Sequence, residues 1–84
     1  MSSAKTSGKK VRKPLKERGL AKTFGENVRR VRKERDLSQE ALADEVGLAV
    51  TYVGQIERGT RNPTLEIVER LARALKVKPL DLLQ

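Results

Sequence analysis

The stretch Gln39-Glu40-Ala41-Leu42-Ala43-Asp44-Glu45-Val46-Gly47-Leu48-Ala49-Val50-Thr51-Tyr52-Val53-Gly54-Gln55-Ile56 decides how this chain folds. Leu42 and Val46, four apart, face the same way from one short helix, and Val53 and Ile56, three apart, do so from a second. Ala43 is small where two helices must cross closely. Gly47 stands where the chain has to reverse without a Cβ in the way. Leu48 then supplies an apolar plug for the turn. Each of these positions meets a separate steric demand at fixed spacing, which a generic amphipathic pair joined by glycine does not do. The unit is a helix-turn-helix covering residues 39–58.

Outward from this unit the pattern stays helical. Phe24, Val28 and Val31 follow the i, i+4, i+7 spacing of one helix face and predict a first helix over residues 22–35. Ser38 is placed as the N-cap of the second helix, Gln39–Val46. Gly47 is suited to the left-handed conformation that ends it. The third helix is predicted over residues 50–58, stopping at Gly59. Arg61-Asn62-Pro63-Thr64 reads as a loop, with Thr64 capping a fourth helix, Leu65–Leu75, that buries Leu65, Val68, Leu71 and Leu75. Lys78-Pro79 opens a last short helix, with proline where the first turn tolerates it. Neither strand-type alternation nor an internal repeat is present. The expected fold class is all-α, a compact five-helix domain over residues 20–84.

Composition narrows the function classes. The chain has 84 residues with Cys 0 and His 0, which removes disulfides, the usual zinc sites and any histidine-based triad or general base. Asp and Glu are scattered over helix surfaces without converging, so no enzyme is expected, and no metal, cofactor or small-molecule ligand is implied. No stretch approaches the roughly 20 apolar residues that span a bilayer. The basic N-terminus has no apolar run behind it, unlike a secretory signal.

Charge points the other way, toward a partner. The formal net charge is +8. Most of it comes from residues 1–19, where Lys5, Lys9, Lys10, Arg12, Lys13, Lys16 and Arg18 face only Glu17. A basic excess of this size suits a polyanion, nucleic acid ahead of an anionic membrane surface. The segment lacks the Trp, Phe or Leu clusters of a membrane-surface helix. With Val11 and Leu15 as its only sizeable aliphatics, it is expected to be a flexible, disordered basic arm.

The blocks Leu37-Ser38-Gln39-Glu40, Tyr52-Val53-Gly54-Gln55-Ile56-Glu57-Arg58-Gly59 and Arg61-Asn62-Pro63-Thr64-Leu65 resemble the Cro/lambda-repressor-like (Xre-type) helix-turn-helix regulators in order and spacing. The resemblance runs from Phe24 to Leu83. It implies a five-helix lambda-repressor-like domain that dimerises and binds a two-fold double-stranded DNA operator through its third helix, as a transcription regulator of repressor type. It also implies a cytoplasmic, nucleoid-associated protein of bacterial or phage origin. Size and loop are most similar to controller proteins of restriction-modification systems and small phage-type repressors. An antitoxin-type module that masks a protein partner, with DNA binding as autoregulation, carries the same motif. Its partner segment here would have to be residues 1–19, whose charge suits DNA better than a protein groove.

Within that resemblance the residues divide into roles. Val50, Thr51 and Gln55 lie away from Val53 and Ile56 and, with Ala49, are expected at the base edges; Gln suits bidentate pairing with adenine. Gln39 at a helix N-terminus, together with Arg58, Arg61 and Asn62, is expected at phosphates. Tyr52 is open between a phosphate and its own domain. Lys9, Lys10, Arg12 and Lys13 are expected along phosphates or a groove. Family members pair residues matching Arg32 and Glu57 internally, so Glu57 is read as structural. Arg29, Arg30, Lys33 and Arg35 form a solvated face. Val77, Leu80, Leu82 and Leu83, too apolar for a free end, are the expected dimer interface.

Two departures from the family pattern stand out. Ala49 and Val50 replace the frequent Ser or Thr cap and polar reader, a missing cap worth about 1 kcal/mol, and offer small apolar groups to thymine methyls. Gly54 stands where Ser is usual, at a helix-interior cost of roughly 0.8–1.0 kcal/mol against Ala. Close approach to DNA is the expected reason.

Overall fold

The computed structural model describes residues 19–84. They form five helices and, among the described residues, no strand: α1 Leu20–Glu34, α2 Gln39–Val46, α3 Val50–Glu57, α4 Leu65–Leu75 and α5 Pro79–Leu83. The bounds of α2 and α4 coincide with those predicted. The first helix starts two residues earlier and ends one residue earlier than expected, and α3 stops one residue short, within the usual fraying of helix ends. Residues 1–18, with Lys9, Lys10, Arg12 and Lys13, lie outside the described residues.

Local chemistry explains the boundaries. Ser38 Oγ accepts from the Ala41 amide at 2.9 Å, and Thr64 Oγ1 accepts from the Ile67 amide at 3.2 Å, so both expected caps satisfy an otherwise orphaned donor. Gly47 takes φ 74° at the end of α2. A second constraint acts there, because a Cβ on Gly47 would lie 3.0 Å from Arg70 Nη2. The Arg70 guanidinium, on α4, donates to the Val46 carbonyl. It thereby closes the C-terminus of α2 with a cation, where the helix dipole favours one.

One apolar core joins the helices. Phe24, Val28 and Val31 from α1, Leu42, Ala43 and Val46 from α2, Val53 and Ile56 from α3, Val68, Leu71, Ala72 and Leu75 from α4 and Leu82 from α5 are all buried. Leu37, Leu48, Tyr52, Val77 and Leu83 pack against its edge. Two expectations fail here. Leu65 shares the stripe of Val68 and Leu71 but sits at the first turn of α4, beyond the end of the core, and is 80% exposed. Leu82, expected at a dimer surface, is fully buried instead. Its carbonyl accepts from Asn27 Nδ2 at 2.9 Å, which holds the C-terminal turn on α1.

The tightest contact lies between α1 and α3. A Cβ on Gly25 would run into the Ile56 carbonyl oxygen and come within 2.9 Å of the Glu57 carbonyl oxygen, so only glycine lets the two backbones touch. Gly59, at φ 77°, turns the chain after α3 and passes as closely against α1, where a Cβ would sit 2.9 Å from Lys22 Cα. Together these two glycines fix where α3 lies and how its following loop leaves. Among the described residues, no helix is long and apolar enough to cross a membrane.

Candidate nucleic-acid interface

The third helix divides lengthwise. Val53, Gly54, Ile56 and Glu57 are buried. Ala49, Val50, Thr51 and Arg58 are exposed, and Gln55 is half-exposed between them. Thr51, Gln55 and Arg58 follow i, i+4, i+7, so they form one row along the outer side. As Ala49 has no side-chain acceptor, its N-cap makes no side-chain hydrogen bond to the helix. Small apolar and hydroxyl groups occupy the exposed first turn of α3.

The buried side is locked by charge as well as by packing. Arg32 Nε and Nη2 donate to Glu57 Oε2 and Oε1 at 2.6 and 3.0 Å. Side-chain exposure is 9% for Arg32 and 3% for Glu57, which makes this a desolvated, bidentate pair. Arg32 Nη1 also donates to the Leu37 carbonyl at 2.8 Å, and Gln39 Nε2 donates to Glu57 Oε1 at 3.0 Å. One carboxylate thus ties α1, the α1–α2 loop, α2 and α3 into a single frame. Gln39 is half-buried and engaged in that frame through one amide hydrogen. Its carbonyl oxygen and second amide hydrogen have no hydrogen-bond partner among the described residues.

Among the described residues nothing forces a glycine at position 54, since the atoms nearest a Cβ there lie at ordinary van der Waals distance. Gly54 is buried, and a Cβ there would meet Arg58 Nη1 at 3.4 Å and the two ends of the Gln39 amide at 3.8 Å. Gly54 faces the α2 side of the interface, with Arg58 and Gln39 folded across it.

A second arginine cluster lies on the outer side. Gly59 and Thr60 amides donate to the Ile56 and Gln55 carbonyls at 3.0 Å each, closing α3 with the two-bond Schellman pattern. Thr60 Oγ1 adds a bond to the Gln55 carbonyl at 3.1 Å. This turn returns Arg61 over α3, where its guanidinium stands 5.0 Å from the Tyr52 ring centroid. Arg61 Nη1 donates to Gln55 Oε1 at 3.1 Å. Tyr52, left open by sequence, rests against its own domain and carries Arg61 on its ring. Asn62 is exposed in the same loop.

The four residues expected at a dimer surface do not form one face. Leu82 is in the core; Val77 borders a hollow with Glu69, Arg73 and Pro79. Leu83 instead lines a groove with Leu20, Phe24, Leu65 and Val68. Leu80 is 59% exposed and lies three residues from Leu83, on the same side of α5. Arg70, Gly25 and Asn27 shape the frame without having been singled out by sequence. Gly25 carried a signal, a glycine inside a strongly helical pattern; Arg70 and Asn27 did not, since their carbonyl partners lie far away along the chain.

This arrangement has counterparts among known proteins. The Helix-turn-helix family, HTH_3, matches residues 28–82. The chain belongs to that family. HTH_3 members of the Xre type are transcription regulators rather than an enzyme family, and the five-helix fold seen here is theirs. The chain is 53% identical over 47 residues to the control protein C.BamHI of Bacillus amyloliquefaciens, a match covering 56% of this chain and 58% of that protein. Its fold is similar to the restriction-modification controller protein C.AhdI from Aeromonas hydrophila, with TM-score 0.71 and 44% identity over 74% of this chain and 94% of that one. It is also similar to SinR, the master regulator for biofilm formation solved in complex with DNA, with TM-score 0.69 and 32% identity over 73% of this chain and 98% of that one. The chain spans little more than half the length of the curated control protein it matches.

Proposed function

We propose that this helix-turn-helix chain is a sequence-specific double-stranded DNA-binding transcription regulator of repressor type, acting as a homodimer in the cytoplasm on a two-fold operator. One observation carries this reading. The inner side of α3 is immobilised by Val53, Ile56 and the buried Arg32–Glu57 pair, while its outer side presents a solvent-facing polar row of Thr51, Gln55 and Arg58. A rigid helix with a free polar face is what major-groove reading requires.

In this reading Ala49, Val50, Thr51 and Gln55 meet base edges. Arg58, Arg61, Asn62 and the remaining amide hydrogen of Gln39 meet phosphates on either side. Tyr52 acts through the Arg61 it supports. Lys9, Lys10, Arg12 and Lys13 add counterion-releasing contacts, each steepening the fall of log K with log salt by about 0.9. The dimer face is assigned to Leu80 and Leu83 with the exposed Leu65 across the groove, in place of Leu82. A single short recognition helix reads few bases, and two half-sites about one helical turn apart supply the rest.

Selection of bound DNA from a random pool, followed by stoichiometry on the selected site, tests the proposal. Two protein copies on a palindromic sequence are expected. A single copy per site, or a pool that never converges on a sequence, contradicts it.

A further inference from the structure

Arg61 does more in this structure than stand beside a phosphate. Arginine has five N–H donors and no acceptor, so the Gln55 atom facing it must be the carbonyl oxygen. The 3.1 Å contact therefore fixes which way the Gln55 amide points. Arg61 is itself held, by the Schellman turn at Gly59 and Thr60 and by the Tyr52 ring beneath its guanidinium. No protein acceptor takes Gln55 Nε2 among the described residues, so this end of the amide offers only donors.

Pairing with adenine needs both ends of a glutamine amide, the oxygen accepting from N6 and the nitrogen donating to N7. Here the oxygen keeps one lone pair, but an adenine amino group reaching it would have to sit beside the donor N–H groups of a guanidinium, which repel it. Guanine needs the opposite, two donors for N7 and O6. Gln55 Nε2 supplies one, and the guanidinium N–H groups of Arg61 not spent on Gln55 supply the other. Water exclusion at an interface strengthens the charge-assisted bond between the two side chains, so the arrangement is reinforced on docking.

We infer that Arg61 is a specificity-determining positioning residue: by holding Gln55 Oε1 it fixes the amide with Nε2 outward and surrounds the oxygen with donors, and so sets guanine rather than adenine as the preferred base at that position. The inference rests on α3 reading bases, as proposed above. It departs from the adenine pairing that glutamine alone suggests.

The experiment is selection from a random DNA pool with four proteins: wild type, Gln55→Ala, Arg61→Met and Arg61→Lys. Gln55→Ala locates the position by abolishing preference at one base pair per half-site. The wild type is expected to place guanine there. Arg61→Met frees the oxygen and is expected to shift the guanine-to-adenine ratio at that position by roughly ten- to a hundredfold, with flanking preferences unchanged. Arg61→Lys, which retains a donor for Oε1, is expected to keep guanine. As Arg61 is exposed, the variants should melt as the wild type does. Adenine at the Gln55-dependent position of the wild type overturns the inference. So does an Arg61→Met protein that binds every sequence more weakly with the ratio unchanged, the signature of a phosphate contact alone. A Gln55→Ala protein that loses preference at no position overturns base reading by Gln55 as well, and separates that failure from the failure of Arg61.

Discussion

Two arginine clusters grip the same short helix from opposite sides. Arg32 holds Glu57 and Arg61 holds Gln55, through residues only two apart in sequence. On a helix, a two-residue step turns a side chain about 200° around the axis, so one cluster faces the core and the other faces outward. The inner pair is bidentate and desolvated, and its carboxylate is also bonded to Gln39. The outer pair is a single hydrogen bond between solvated groups. The same cation therefore does different work in each place. Inside, it secures the position of α3; outside, it orients one side chain on a helix already secured.

Breaking the inner cluster should have the largest effect. Glu57→Ala leaves the Arg32 guanidinium buried without its carboxylate and should destabilise the fold by about 3–5 kcal/mol. DNA binding then falls through unfolding. Thermal melts without DNA read this directly, and an unchanged melting temperature would place the pair outside the stabilising frame.

The helix-interior glycines sharpen the comparison next. Gly25→Ala pushes a methyl into the Ile56 and Glu57 carbonyls of α3. Backbone cannot step aside as a flexible side chain can, so a loss near the roughly 3 kcal/mol upper range of overpacking is expected. Gly54→Ala meets only the ends of Arg58 and Gln39, at 3.4 Å and beyond. There the helix-propensity gain should dominate, raising stability by about 0.5–1 kcal/mol. Denaturant midpoints of the two variants should move in opposite directions. A destabilised Gly54→Ala would show that the space over Gly54 is needed by Gln39 or Arg58.

The five helices were legible because their signals are local: Ser38 and Thr64 as caps, Gly47 and Gly59 as stops, and apolar residues at helical spacing. Which exposed residues sit on which side of α3 was legible for the same reason. Less legible were contacts that depend on how the helices are docked. Leu65 and Leu82 both look like core or interface residues by hydrophobicity, and only the end of the core separates one from the other. Arg70 reaches the Val46 carbonyl from another helix, with no pattern in the chain to announce it. Gly54 shows the limit of such signals, because a glycine reports that something can come close without saying what, and the chain's own contacts there are ordinary ones. Gln55 read alone suggested adenine; its neighbour Arg61 enters only once the turn at Gly59 is built.

The outer cluster has a role in recognition only if α3 reads bases. Gln55→Ala should be titrated against the selected site and against random DNA at fixed salt, with a melt of the free protein alongside. Affinity for the selected site should drop by roughly 1–3 kcal/mol as the base contact is lost, while random DNA affinity and the melting temperature stay put. An equal loss on both DNAs, or no loss on either, would contradict the assignment of the outer face of α3 to sequence reading.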